Sequence, residues 1–177
     1  MMRRWWTYQK ERFPLVVNGP LVAVFGLGAL YHAALVRGAA LPDWREALVA
    51  FVVALGFFLL LRIADEFKDA EKDAKHRPYR PVPRGLVSLR ELGVLGGITT
   101  AAQLGLTVWL DPMVTLVLLG AWAYLGLMSV EFFVGEWLEE RLGLYAASHM
   151  VILPLIALVA MACDWAPANA GPPAPLG

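Results

Sequence analysis

Five long apolar runs separated by short polar turns set the pattern of this chain. They extend from Phe13 to Val36, about Ala47 to Ala64, Leu89 to Leu110, Met113 to Val130 and about Leu144 to Met161. Each matches or approaches the roughly 20 residues with which an α-helix crosses the hydrocarbon core of a bilayer. Inside lipid the backbone has no water to bond, so such runs predict helices whose hydrogen bonds close within the segment. The expected fold is therefore all-α, a polytopic membrane bundle of about five transmembrane helices. The first run is too long for the apolar core of a signal peptide, although Gly38-Ala39-Ala40 imitates a cleavage site, and it is expected to stay as a span. Pro14 and Pro20 predict a bend in it. Asn18 is its one amide, and a polar group at that depth faces a bundle interior or a cavity, as an interhelical hydrogen bond or a ligand contact. Gly93, Gly96, Gly97, Thr99 and Thr100 mark the third span as one that neighbouring helices approach closely.

The polar intervals divide the rest. Residues 1–12 form a basic, aromatic segment suited to a membrane interface. Residues 13–163 make up the helical domain, with a charged motif loop at 65–88 and a second polar patch from Glu131 to Arg141. Residues 164–177 form a Pro-, Ala- and Gly-rich tail, expected to lack fixed structure. Leu41-Pro42-Asp43-Trp44 and Asp111-Pro112 turn the chain between spans.

Composition supports the membrane reading: 59% of residues are hydrophobic and only 17% charged, against roughly 25% in ordinary globular domains. The net charge of zero conceals a strong asymmetry. With the N-terminus inside, thirteen of the fifteen Lys and Arg lie on the inner side, and only Arg37 and Arg45 lie outside. The excess of positive charge on inner loops predicts N-terminus in and C-terminus out, so both acidic patches face the cytoplasm. The expected location is a bacterial inner (plasma) membrane, with the bilayer as the main surroundings and no nucleic-acid partner. A lone cysteine, Cys163, forms no intrachain disulfide, and His32, His76 and His149 make no ligand pattern. No charged residue lies deep in a span, which leaves transport without support.

Candidate chemistry is concentrated between Asp65 and Ser88. On a helix Glu66, Asp69 and Asp73 fall at i, i+3 and i+7, which places three carboxylates on one face. Such a face can hold a hard cation such as Mg²⁺, which commonly bridges to substrate phosphates that neighbouring Arg side chains also grip. Arg77, Arg80 and Arg84 follow in a Pro-rich turn. The plainer account is a solvated loop held by pairs between Lys68, Lys72, Lys75 and the carboxylates.

The same stretch resembles the first signature of the UbiA superfamily of intramembrane prenyltransferases. That family carries NDxxDxxxD after its second transmembrane helix and an RPLxxGxxS-like segment leading into the third. Here Asp65-Glu66-Phe67-Lys68-Asp69-Ala70-Glu71-Lys72-Asp73 stands in the first pattern, with Asp65 for the Asn and Glu66 for the first Asp. Arg80-Pro81-Val82-Pro83-Arg84-Gly85-Leu86-Val87-Ser88 fits the second. The resemblance implies a helical membrane fold around a lipid-accessible cavity, and transfer of an isoprenyl group from a prenyl diphosphate to an acceptor, often aromatic, with Mg²⁺. It implies Glu66, Asp69 and Asp73 as metal-site residues, Asp69, Asp73 and Arg80 as catalytic ones, and Glu66, Asp65 and Arg80 as contacts to the substrate. Asn18 joins the substrate-binding candidates from its depth in the first span.

Family members have about nine spans and a second Asp-rich motif after the sixth, so the expected fold is a partial, N-terminal one and the chain is expected to be truncated or incomplete. After the fourth span the family usually carries a Tyr and Lys-Arg signature; here that region is acidic. Glu136 and Glu140 share a helical face there, which borders the cavity mouth or forms a solvated loop helix. Self-association is left open, and the alternative function is a non-catalytic membrane protein that binds a lipid diphosphate or a partner bundle.

Overall fold

The last long helix of this chain folds back against the first, which closes the bundle. The computed structural model describes residues 2–168, and among these all regular structure is helical. The elements are α1 (Met2–Arg12), α2 (Leu15–Arg37), α3 (Trp44–Lys68), α4 (Ala70–His76), α5 (Leu89–Leu110) and α6 (Pro112–Ser129). A 3₁₀ turn (Glu131–Phe133), α7 (Gly135–Glu139), α8 (Leu142–Met150) and α9 (Ile152–Trp165) follow. Five helical stretches are long and apolar enough to span a membrane: α2, α3, α5, α6 and α8 with α9. The expected bundle of about five spans is thus the observed one.

Local sequence sets the helix ends. Gly38 adopts φ 62° and terminates α2 with its N–H on the carbonyl of Leu35 at 3.1 Å, a conformation open to glycine at no steric cost. Asp43 caps α3 in a capping box with Glu46, and Ser88 does the same for α5 with Glu91. Asp111 ends α5 and caps α6, where Pro112 takes the first helical position that needs no donor. Pro14 stands as the cap of α2, which then runs unbroken through Pro20.

α9 packs against α2, α3 and α6, while α5 lies on the other side, against α3 and α6. Leu30, Phe57, Leu118 and Ile156 are fully buried at the centre of the four-helix core. Helices in lipid associate through close packing rather than through apolar burial, and Gly26 supplies such an approach. A Cβ there would stand 3.1 Å from that of Ala54. Val16, Val24, Val108 and Leu116 point outward and exposed, as lipid-facing side chains do.

Three boundaries differ from the sequence reading. α3 does not stop at Ala64 but continues through Asp65, Glu66 and Lys68, so the first part of the motif is the end of a spanning helix. The basic N-terminal segment is itself a helix, α1. The fifth span is divided at Val151, between α8 and α9, and α9 runs through Trp165 with Asp164 and Trp165 buried. Helix therefore extends two residues into the segment assigned to the tail. The rest of the tail, from residue 169, lies outside the described residues.

Candidate functional site at the motif end of the bundle

α1 crosses the motif end of α3 and α5, and a groove of about 1000 Å³ runs beneath it between those two helices. Its walls are apolar: Trp5, Trp6 and Phe13 from α1 and its junction with α2, Leu55 and Leu59 from α3, Leu95 and Ile98 from α5. Small residues make the room. Gly56 borders the groove, and a Cβ at that position would come within 2.8 Å of Gln103 Nε2. Gln103 is the polar side chain deepest along α5 on this wall. It is 1% exposed, donates to the carbonyl of Val53 at 2.8 Å and accepts from Trp122 Nε1 at 3.1 Å. Both bonds join helices, as buried amides do in membrane bundles.

Charged residues gather at the motif end. Glu66 and Asp73 are each 2% exposed, a costly state for a carboxylate unless it is paired. Glu66 is paired with Arg12 of α1. Asp73 is paired with Arg80 and, at 3.2 Å, with Arg77. Burial pushes the Asp73 carboxyl up, but bonds and charge from Arg80 and Arg77 outweigh it and hold it below the ordinary range. The Asp73 hydrogen bond likewise holds the Arg80 guanidinium above its ordinary value.

The Arg-Pro segment is the turn that delivers Arg80. Leu86 N–H bonds the Pro81 carbonyl at 2.9 Å, and Gly85 N–H bonds that of Val82 at 3.0 Å. Gly85 sits at φ 74°, where a side chain is strained. Val87 is buried with Tyr8, Ile63 and Leu92, which anchors turn, α1 and α3 together. Arg84 bonds Glu11 at 2.8 Å and Arg4 bonds Glu91, so α1 is clamped over the groove from both sides.

The expected single carboxylate face is not what forms. α3 ends at Lys68, Asp69 sits at the joint with φ −88° and ψ 2°, and α4 starts at Ala70. Among the described residues no group of three His, Cys, Asp or Glu side chains stands close enough together to hold a metal. Glu66 and Asp73 are occupied by arginines. Asp65 and Asp69, one turn apart, are less engaged: Asp65 is exposed and 3.5 Å from Arg62, and Asp69 has no ion pair among the described residues. A pair of carboxylates fits the way Mg²⁺ is commonly held, by one or two protein oxygens with waters and substrate phosphates. Asn18 is half-buried on α2 and is not among the residues lining the groove.

Several site residues were not singled out from the sequence. Tyr8 is 2% exposed, and its hydroxyl has no hydrogen-bond partner among the described residues. Burial first, and the charge of Glu66 second, push its pKa far up, so it stays a protonated donor. Tyr8 and Arg12 lie one turn apart on α1, a spacing readable in advance had that segment been taken as a helix. Lys68 binds Glu131 and, at 2.9 Å, the Tyr145 hydroxyl, which ties the second polar patch to the motif. Glu136 and Glu140 remain outside that contact, and Glu140 is exposed. Glu131, Phe132 and Phe133 have φ of 51°, 55° and 62°, a left-handed run that costs about 1–2 kcal/mol per residue. Gly135 leaves the space that the Glu131 carboxylate fills.

The model of the UbiA prenyltransferase family matches residues 22–174, most of the chain. Comparison with curated proteins gave no match, and comparison with solved structures gave none either. The chain belongs to the UbiA prenyltransferase family and is an integral membrane protein.

Proposed function

We propose that this UbiA-family chain binds a prenyl diphosphate with its isoprenoid tail in the groove beneath α1 and its head among the charges of the motif end, and transfers the prenyl group to an acceptor. One observation carries the reading: Tyr8 both lines the apolar groove and lies within electrostatic reach of Glu66, Arg12 and Arg62. An apolar slot lined by Tyr8, which packs against Ile63 and Val87 beside the charged motif, suits an amphiphile with an anionic head. The basic segment and motif then face the cytoplasm, in keeping with the distribution of Lys and Arg.

In the proposed reaction the allylic C–O bond breaks and its electron pair leaves on the diphosphate. The cationic carbon takes an electron pair from the acceptor to form the new bond, and an aromatic acceptor passes its ring proton to the released diphosphate or to water. Asp65 and Asp69 would hold Mg²⁺, which would supply charge neutralisation to the leaving diphosphate. Arg80, fixed by Asp73, stands ready to bond diphosphate oxygens. The rings of Trp5, Trp6 and Phe13 exclude water and offer their faces to the carbocation.

A second reading has its own support. Because arginines already engage Glu66 and Asp73, the site also suits a protein that binds a lipid diphosphate without transferring it. Equilibrium binding of tritiated farnesyl diphosphate to the chain in nanodiscs tests both readings, with Mg²⁺ or EDTA, beside the Asp69→Ala/Asp73→Ala variant. The proposal expects binding that needs both the metal and the carboxylates, and prenylated product once an aromatic acceptor is added. No binding by either protein contradicts both readings; equal binding by the variant contradicts the first and favours the second, as does binding without product from a panel of acceptors.

A further inference from the structure

Where α1 crosses the end of α3, two hydrogen-bond donors are buried without acceptors among the described residues: the Tyr8 hydroxyl and Arg62 Nε. A buried donor left unpaired costs about 1–3 kcal/mol, and native structures hold few of them. Three occur among the described residues, and two of them lie at this crossing. Glu66 acts on Tyr8 electrostatically but makes no hydrogen bond to it. The carboxylate of Glu66 is instead committed to Arg12, and Arg62 reaches Asp65 through Nη1 rather than Nε. Tyr8 is held in place by packing against Ile63, Val87 and Leu92 and by an edge-on contact with Trp5 at 6.0 Å. Arg84–Glu11 and Arg4–Glu91 fix the helix that carries it.

We infer that Tyr8 Oη–H and Arg62 Nε–H form a paired-donor site for an anionic oxygen of the ligand whose tail occupies the groove. This rests on the proposed prenyl diphosphate and deepens it. The chemistry follows from the donors: Arg62 Nε–H can only donate and the Tyr8 hydroxyl is free to donate, so the atom that satisfies both is an acceptor oxygen, and the nearby arginines favour a charged one. The Tyr8 half of the site lies on α1, outside the Asp-rich motif. Tyr8 thereby makes α1 a reader of the ligand's head and not only a cover for its tail.

Tyr8→Phe removes the hydroxyl and keeps the ring, and Arg62→Lys keeps the charge and removes Nε–H. Binding of farnesyl diphosphate and of uncharged farnesol to the full chain in nanodiscs is compared for wild type and each variant. A hydrogen bond to a charged group is worth about 1.5–3 kcal/mol, or about tenfold or more in affinity. The inference predicts a loss of that size for farnesyl diphosphate in both variants, with farnesol binding and the thermal midpoint unchanged. Unchanged farnesyl diphosphate binding in either variant overturns the paired-donor site and leaves the proposed function standing. Parallel loss of both ligands overturns it too, since that marks altered packing of the groove. A wild-type chain that binds farnesyl diphosphate no better than farnesol overturns the proposed function and this site with it.

Discussion

At one end of the bundle Arg37 and Asp164 meet in a two-pronged ion pair, both bonds 3.0 Å, largely shielded from solvent. At the other end Glu66 pairs with Arg12, Asp73 with Arg77 and Arg80, and Glu131 with Lys68, a spread of contacts over the motif end. The first arrangement satisfies its charges and pins the end of α2 to the end of α9, helices that pack against each other. Each end keeps an unpaired buried donor, Trp165 Nε1 at the first and Tyr8 Oη with Arg62 Nε at the second, but only the second breaks its helix, at Asp69, and holds three residues in a left-handed conformation. Backbone strain persists only where surrounding structure over-determines it, and it collects at functional sites. The contrast separates charge used for closure from charge kept for a ligand.

The largest effect expected is at the closed end. Asp164→Ala leaves Arg37 buried without its partner, a change that costs about 3–5 kcal/mol, read as a fall in the thermal midpoint of the chain in detergent. Ligand affinity per folded molecule should change little. At the motif end, Asp73→Asn removes the charge that Arg80 and Arg77 bind, worth about 1.5–3 kcal/mol, and should raise amide exchange over residues 77–88 while leaving α9 protected. The same carboxylate predicts a pH response. Its pKa is depressed in the fold, so its contribution is present above the unfolded value of about 3.9 and is lost as pH falls through the lower folded value. Exchange in the turn should rise on acidification below about pH 4 in wild type, and the Asp73→Asn substitution should remove that dependence.

Gln103→Leu addresses the groove between the two ends. It strands the Val53 carbonyl and Trp122 Nε1–H, and interhelical hydrogen bonds of this kind average about 0.6 kcal/mol, reaching about 1.7. A modest drop in midpoint together with altered preference among prenyl chain lengths is the expected result. The smallest effect is at Lys68, which is partly exposed. Lys68→Met should cost about 1 kcal/mol or less, while protease sensitivity across Val130–Gly135 increases as the strained turn loses its tether.

Much of this fold could be read from the chain, because span length and caps are local properties. The five apolar runs, the Asp43, Ser88 and Asp111 caps and the turn at Gly38 need only neighbouring residues to explain them. The Asp65–Ser88 stretch was legible as charged and as a turn, but its internal pairing was not. Helical spacing placed Glu66, Asp69 and Asp73 together, and it contained no information about Arg12, which arrives from 54 residues away and engages Glu66. Lys68 with Glu131 and Tyr145 is hidden for the same reason. Asp164 was assigned to a tail on composition, since only its distant partner Arg37 shows that the helix continues. Gln103 was visible as a lone amide in the Gly- and Thr-rich third span and could have been singled out there.

Whether the groove beneath α1 and the charged end form one ligand site can be read by photolabelling. A farnesyl diphosphate analogue with a diazirine in its tail is photolysed on the chain in nanodiscs, and the labelled peptides are mapped. A single site predicts labelling within Val52–Leu59 and Leu95–Gln103 that excess farnesyl diphosphate suppresses and Asp69→Ala/Asp73→Ala reduces. Labelling confined to the outward face of α6, around Leu116 and Leu127, or labelling that competitor leaves unchanged, would show that groove and charged end do not act together.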